Sequence, residues 1–346
     1  MGVVIFSASP EVSVIMPVRN EQTSVANALA SVLDQSFQDL EVIVADGRSE
    51  DHTADVVLQI AARDPRVRLV DNPAQTISHA MNTGLAHARG DFLVRVDAHA
   101  KVNRSYVERG VAELRQRPDT AAVGGQRIGV ASTATGLAIA TALSSPFGVG
   151  DSINHYATSK QETDHSSFGV YRADIVRAVG GWDTSLLVNE DVDIDHRILA
   201  AGHSIRYDPD MHIYWHVRES LRDFARQYRR YGRGKAAMVR KNGASAIRPR
   251  HLAAPALVTA LAAAATLAVT GHRRLAGAAV APYAAAVATA TATAVTQRVS
   301  DSQRRVATLP LASAFVAMHV GWGFGFLEGL ILRKAPVASS ARPAGR

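Results

Sequence analysis

The chain has 346 residues, a formal net charge of +7, a pI near 9.9 and no cysteine. That length exceeds what one hydrophobic core usually serves, so a domain with an appendage is expected, and the missing cysteine excludes a disulfide framework and thiolate chemistry. The basic balance raises nucleic-acid binding, but the Lys and Arg concentrate over residues 218–250, directly before an apolar span; attraction to anionic headgroups and the positive-inside bias account for them better there.

The opening stretch, MGVVIFSASPEV, lacks the basic region and apolar length of a signal peptide, and its apolar residues are expected to enter a first strand. VSVIMP at 12–17 reads as a strand ended by proline. Residues 20–34 then carry helical spacing at Val25, Ala28, Leu29 and Val32. LEVIVA at 40–45 is a second buried-type strand, followed by a polar turn at 46–51 and a helix over 53–63. A third strand at 67–70, a helix at 77–88 and a fourth strand at 92–96 complete a β-α-β-α-β alternation. Such alternation predicts a mainly parallel, Rossmann-like α/β sheet with ligands beyond the carboxyl ends of its strands.

Those strand ends carry Arg19 and Glu21, Asp46, and Asp97, so residues far apart in sequence are expected to converge on one crevice. From 252 the composition turns alanine-rich. Three stretches, 252–270, 275–296 and 306–327, each hold about twenty residues without Asp, Glu, Lys or Arg, long enough to cross a hydrocarbon core. An alanine-rich soluble bundle is the alternative. The expected division is a catalytic domain at 1–243, of which 218–243 is a basic juxtamembrane segment, an anchor of about three transmembrane helices at 252–332, and a flexible tail at 333–346.

In Asp97-Ala98-His99 the carboxylate and imidazole project to one side of an extended chain, where they can share a divalent cation or simply end a strand. Asp46 suits either ligand recognition or turn-making, and Asp51 and Thr53 suit capping of the next helix. NEDVD at 189–193 sets three carboxylates at the start of a helical pattern. Some of that charge complements the helix dipole, and a carboxylate near like charge gains proton affinity, as deprotonation of a hydroxyl requires. Trp182, after Gly180-Gly181 and before Asp183, offers a face for a sugar ring or a core side chain. Arg226, Arg229 and Arg230 can grip phosphate, or lie in lipid headgroups on an amphipathic helix.

Taken in order, VSVIMPVRNEQ, SVLDQSF, EVIVADGRSEDHT, NTGLAHARGDFLVRVDAHA, GGWD and NEDVD resemble the family 2 glycosyltransferases of the GT-A fold over residues 11–234. VRVDAHA, SSPFGVGDS, QYRRYGRGK and the hydrophobic tail are most similar to the ExoA-like branch of bacterial exopolysaccharide enzymes. The resemblance implies that Pro17, Arg19, Glu21, Asp46, Arg95 and Asp97 bind the nucleotide sugar. Asp97 with His99 takes the DXD metal position for Mg²⁺ or Mn²⁺. Because His99 replaces the second acid, Asp97 is expected to bind the cation with help from His216. Asp191 is implied as catalytic base, Glu190 as a residue placing the acceptor, and Trp182 and Asp183 as acceptor or sugar contacts. The Q-x-x-R-W signature of processive synthases is absent, with QYRRY in its place, which implies one sugar per cycle.

The expected activity is therefore inverting transfer from a UDP-sugar to a polyprenyl-diphosphate-linked saccharide. It would occur at the inner (plasma) membrane, with the catalytic domain cytoplasmic, membrane lipids as further partners and no nucleic acid. A catalytically silent nucleotide-binding scaffold and a nucleotidyltransferase are the rival readings.

Overall fold

The computed structural model describes residues 9–300 and 305–332. The flexible tail expected at 333–346 and the opening apolar residues assigned to a first strand lie outside the described residues. Two compact units divide the chain. Within the described residues the first runs to Ile128 and resumes over Ala157–Trp215; the second takes Gly129–Tyr156 and everything from His216 onward.

The first unit is built on a nine-stranded sheet. Its strands are β1 (Val12–Val18), β2 (Leu40–Asp46), β3 (Val67–Asp71), β4 (Phe92–Arg95), β5 (Ala100–Val102), β6 (Thr120–Val130), β7 (Gln161–Glu162), β8 (Val170–Arg172) and β9 (Ser204–His216). The spatial order is β3-β2-β1-β4-β8-β6-β9-β5, with β7 paired to β9. The block β3-β2-β1-β4 is parallel, as the alternating sequence predicts. Beyond β4 the sheet is mixed, because β8 runs antiparallel to both β4 and β6, and β5 and β7 run antiparallel to β9.

The helices of this unit are α1 (Val25–Leu33), α2 (Thr53–Ala61), α3 (Ile77–His87) and α4 (Tyr106–Gln116); α5 (Ala134–Leu143) and α6 (Pro146–Val149) fall in the second unit, and α7 (Ala173–Ala178) and α8 (Glu190–Ala200) again in the first. The period of two along β1 sorts its side chains between two cores. Val12, Val14, Met16 and Val18 join α1, α2 and α4, whereas Ile15 joins Met81 of α3 and residues of α7 and α8. Helix α1 meets its core with Val25, Ala28, Leu29 and Val32, one stripe of a 3.6-residue period. Helix α3 approaches β1 so closely that a Cβ on Gly84 would stand 2.3 Å from Ile15 Cγ2.

The second unit continues with α9 (Leu221–Asn242), α10 (Arg250–Val269), α11 (Arg273–Ser300) and α12 (Thr308–Ile331). Helices α10, α11 and α12 are each long and apolar enough to cross a membrane.

Gly84→Ala tests the close packing of α3 on β1. Alanine favours a helix by up to about 1 kcal/mol over glycine, but the forced contact costs about 1–3 kcal/mol, so a net fall in Tm is expected by thermal unfolding. An unchanged or raised Tm would show that Ile15 yields at no cost.

Candidate active site

Because β2, β1 and β4 are parallel neighbours, the segments leaving them emerge side by side at the carboxyl edge of the sheet. Val18 pairs with Asp46, and Gly47 N donates to Val18 O at 2.8 Å. The loops after β1 and β2 are then laced together. Asn20, at φ 55°, donates from its N–H to Ser49 Oγ (2.9 Å) and accepts from Glu50 N at its side chain (2.8 Å). Glu21 N donates to Thr53 Oγ1 at 2.7 Å, and Gln22 Oε1 accepts from His52 N at 3.1 Å. Asp46 makes the turn, accepting from Ser49 Oγ at 2.5 Å and from Ser49 N at 3.2 Å. Asp51 accepts from Thr53 N at 2.9 Å, the local bond its position suggests. Pro17, opposite Ala45, and the one-third-exposed Arg19 flank this double loop.

Arg95, the last residue of β4, is buried and holds two acids. Its Nε lies 2.8 Å from Asp97 Oδ1 and its Nη2 3.3 Å from Asp97 Oδ2, while Nη1 lies 3.0 Å from Glu190 Oε1 at the start of α8. With both edges of its guanidinium engaged and 7% of the side chain exposed, Arg95 ties strand to helix. Burial alone would raise the Asp97 pKa, but the Arg95 charge outweighs it and holds Asp97 below the usual carboxylate range. Glu190 moves the other way. Its side chain is 6% exposed, and burial with the neighbouring Asp191 charge raises its pKa against the pull of Arg95. So buried, Glu190 secures Arg95.

Asp191 is the carboxylate of this group that reaches the surface, with 30% of its side chain exposed. Its Oδ2 faces His165 Nε2 at 3.8 Å, and the Nδ1 of that imidazole meets the fully buried Asp195 at 2.7 Å. Asp195 also accepts from Ser166 N at 2.7 Å, and Ser166 Oγ lies 2.6 Å from Tyr171 OH. Burial would raise the Asp191 pKa, but the charges of His165 and Arg95 bring it below the ordinary value. The raised proton affinity expected of the acidic cluster thus belongs to Glu190. Counting like charges omitted the two cations that face Asp191.

Residues 165–168 are held in unusual backbone. Ser167 and the bulky Phe168 adopt φ of 39° and 54°, and Asn189 before α8 adopts 64°. Left-handed geometry at a residue such as Phe168 persists only where its surroundings enforce it, and it clusters at working sites. Here Arg95 and Arg127 lie 5.8 and 5.9 Å from the Phe168 ring centre, and Arg127 also stacks 4.6 Å from that of Trp215. A buried Arg127 Nε has no hydrogen-bond partner among the described residues. His165, Asp195 and Arg127 were not singled out from sequence; the DHSSFG run and its distance from NEDVD offered only a weak signal.

Other expected site residues stand elsewhere. Trp182 is 2% exposed and packs edge-on to Tyr171 at 6.2 Å, as a core side chain does. Asp183 accepts from Ser185 N at 2.9 Å in the following turn. In the second unit, Arg226 lies 2.5 Å from Asp223, and Arg229 meets Glu328 through Nε and Nη2, both at 2.9 Å. The guanidinium of Arg229 is thereby paired with a carboxylate; Arg230 is exposed on the same helix. His99 Nδ1 lies 3.1 Å from Glu21 Oε1, and His216 belongs to the second unit. Among the described residues no three His, Asp or Glu side chains stand together as a metal cage. A lone Asp97 fits a cation that arrives on a phosphate-bearing ligand, since phosphate and water oxygens then fill the other positions.

The family model for glycosyl transferase family 2 matches residues 13–180. The chain is 31% identical over 324 residues to the succinoglycan biosynthesis protein ExoA of Rhizobium meliloti, covering 92% of this chain and 94% of that protein. It is 23% identical over 239 residues to a dolichyl N-acetyl-alpha-D-glucosaminyl phosphate 3-beta-D-2,3-diacetamido-2,3-dideoxy-beta-D-glucuronosyltransferase of Methanococcus voltae, covering 66% of this chain and 74% of that one. A solved mannosyltransferase from Pyrobaculum calidifontis, in complex with GDP-Man and Mn2+, shares the fold at a TM-score of 0.56 and 22% identity, over 91% of this chain and 88% of that chain.

The histidine at the heart of the site gives a pH-dependent signature. Burial would lower the His165 pKa, but Asp195 and Asp191 raise it above the ordinary 6.5. The folded protein therefore keeps a proton that the unfolded chain releases near 6.5; this stabilisation is complete below that pH and is lost as pH rises through the higher folded value. Between about pH 6 and 9, Tm should fall more steeply for the native protein than for His165→Gln. Parallel profiles would show that His165 is not held charged.

Proposed function

The chain belongs to glycosyl transferase family 2, and on that premise we propose that it is an inverting, cation-dependent hexosyltransferase moving a sugar from a UDP-sugar to a lipid-linked saccharide in polysaccharide or cell-envelope glycan synthesis. The observation that carries this reading is Asp191, a part-exposed carboxylate kept ionised by the charges of His165 and Arg95. It follows Glu190, which the buried Arg95 guanidinium ties to Asp97, so an acceptor-side base and a donor-side acid flank one fixed charge, as a single displacement requires.

In that displacement the acceptor oxygen bonds to the anomeric carbon as the bond from that carbon to the diphosphate oxygen breaks, so configuration inverts. The acceptor hydroxyl becomes strongly acidic as its oxygen bonds to carbon, so an ionised carboxylate of low proton affinity suffices. Asp191 Oδ2 takes that proton. Asp97 would hold a Mg²⁺ or Mn²⁺ ion, which when bound stabilises negative charge on the leaving diphosphate. Arg127, stacked on Trp215, adds a further cation for that charge. Asp46, at the end of β2, can accept the imide N–H of uracil while its other contacts hold Ser49.

The named activities of the relatives support the substrate classes. The Methanococcus protein is named for a dolichyl-phosphate acceptor, and the Rhizobium protein for succinoglycan synthesis. GDP-Man, bound in the Pyrobaculum structure, is the competing donor. The three apolar helices support a membrane anchor near such an acceptor, and a cytoplasmic catalytic unit is part of the proposal.

Detergent-solubilised protein supplied with UDP-glucose, UDP-galactose, UDP-N-acetylglucosamine or GDP-mannose, Mg²⁺ or Mn²⁺, and a polyprenyl-diphosphate-linked saccharide should release the nucleoside diphosphate. Asp191→Asn is expected to lower turnover about 10²- to 10⁴-fold while nucleotide binding persists. Near-normal turnover of that variant would remove Asp191 as base, and pyrophosphate as product would identify a nucleotidyltransferase instead.

A further inference from the structure

Helix α9 is densely basic, with Arg222, Arg226, Arg229 and Arg230 in its first half and Arg233 just beyond, against the single acid Asp223. It nevertheless lies flush along the C-terminal half of α12. Glycine permits the approach: a Cβ on Gly325 would stand 2.0 Å from Arg229 O, one on Gly321 2.8 Å from Ala225 O, and one on Gly329 2.8 Å from Ala236 Cβ. Residue numbers climb together along both helices, so they run parallel, and the start of α9 sits beside the middle of α12. Glu328 accepts from Arg229 and faces Arg233 at 3.8 Å, and Arg240 donates to Gly329 O.

This packing conflicts with a membrane-crossing α12. Were α12 a span, Val316, Val320 and Phe324 would lie near the bilayer centre, yet these residues line one groove with Arg222, Arg226 and Arg229. Arginine at that depth is costly and rare, and α9 would have to follow α12 through the remaining half of the bilayer. The first half of α12 is covered as well. Phe147 of α6 packs edge-on to Phe315 and to His319, each at 5.1 Å, and Phe147 O lies 2.9 Å from His319 Nε2.

Most of the large apolar side chains that α12 leaves exposed form one stripe, Leu309, Val316, Phe324 and Ile331, at intervals close to two turns and bordered by arginines, with Leu330 beside its end. The Arg229 guanidinium sits 4.9 Å from the Phe324 ring centre. An apolar stripe beneath a basic flank is the pattern of a helix lying in the membrane interface. Helices α10 and α11 differ, being exposed on nearly all sides, and they are joined by the turn at Gly271. Trp322 stacks on His251 at 5.9 Å and Gly323 meets Ala254 and Val258, in the first half of α10, where a hairpin would enter the lipid.

We infer that α10 and α11 cross the membrane as a two-span hairpin, while α12 lies in the interface of the leaflet from which the hairpin enters. The occupant of its apolar stripe is the acyl and headgroup layer of that leaflet, with the α9 arginines among anionic headgroups. The expected three-span anchor thus becomes two spans and one in-plane helix. Only residues 217–220 separate β9 from α9. Four extended residues reach about 14 Å, short of the roughly 30 Å hydrocarbon core, so β9 ends on the same side as α9. Two crossings then return the tail to that side as well.

The native chain has no cysteine, so single cysteines report their side without background. In sealed vesicles of known orientation, a membrane-impermeant maleimide should label Ser340→Cys from the same side as Lys101→Cys, with His272→Cys, at the hairpin turn, labelled from the opposite side. Labelling of Ser340→Cys together with His272→Cys would establish a third crossing, and labelling of all three from one side would establish that no hairpin crosses; either overturns the inference. A depth measurement separates an in-plane helix from a tilted one. Lipid-quenched probes on Val316→Cys and Phe324→Cys should report equal depth, whereas a span places them about 12 Å apart along the bilayer normal. These readings concern labelling and depth, so they stand or fall independently of glycosyl transfer.

Discussion

Arg95 is the buried charge on which the site depends. It lies at the end of a central parallel strand, and its guanidinium is satisfied only by Asp97, two residues on, and by Glu190, nearly a hundred residues away. Removing one partner of such a group leaves an uncompensated charge away from water, which commonly costs about 3–5 kcal/mol. The N-terminus of α8 is therefore fixed against the sheet edge by electrostatic necessity. Asp191, the next residue of that helix, is placed by the same constraint. Phe168 lies beneath Arg95 with a left-handed backbone, and a Cβ on Gly124 would stand 1.7 Å from Ser166 O, so the 165–168 loop has little freedom to move away.

Much of the donor side was legible in the sequence, because its logic is local. Apolar, β-branched-rich runs of four to seven residues made the parallel block, and the residue after each run had to emerge at one edge. Asp51 met Thr53 two residues on, as a turn requires. The acceptor side depended on distant partners. His165 reads as one histidine in a loop, and only the fold sets it between Asp191 and Asp195. Three acids in NEDVD suggested mutual repulsion, yet Asp193 pairs with Arg197 at 2.8 Å and Glu190 with Arg95. Trp182 beside Asp183 looked like a ligand platform, and tertiary packing against Tyr171 claimed it.

The same distinction explains the membrane segments. Length and hydropathy measure what a helix could enter, and by that measure α10, α11 and α12 are equivalent. They say nothing of what packs alongside. Gly321, Gly325 and Gly329 look like a motif for association within a bilayer, but the helix they admit is the arginine-rich α9. A basic helix locked to an apolar one suits the boundary between water and lipid, which is where we propose that the pair lies.

A double-mutant cycle of Arg95→Gln and Glu190→Gln on nucleoside diphosphate release, with thermal unfolding to confirm that each variant folds, tests most directly whether Arg95 joins the two halves of the site. If it does, both single substitutions lower turnover and the double variant is no slower than Arg95→Gln alone, because the second change removes a bond already lost. Losses that multiply independently would contradict the account.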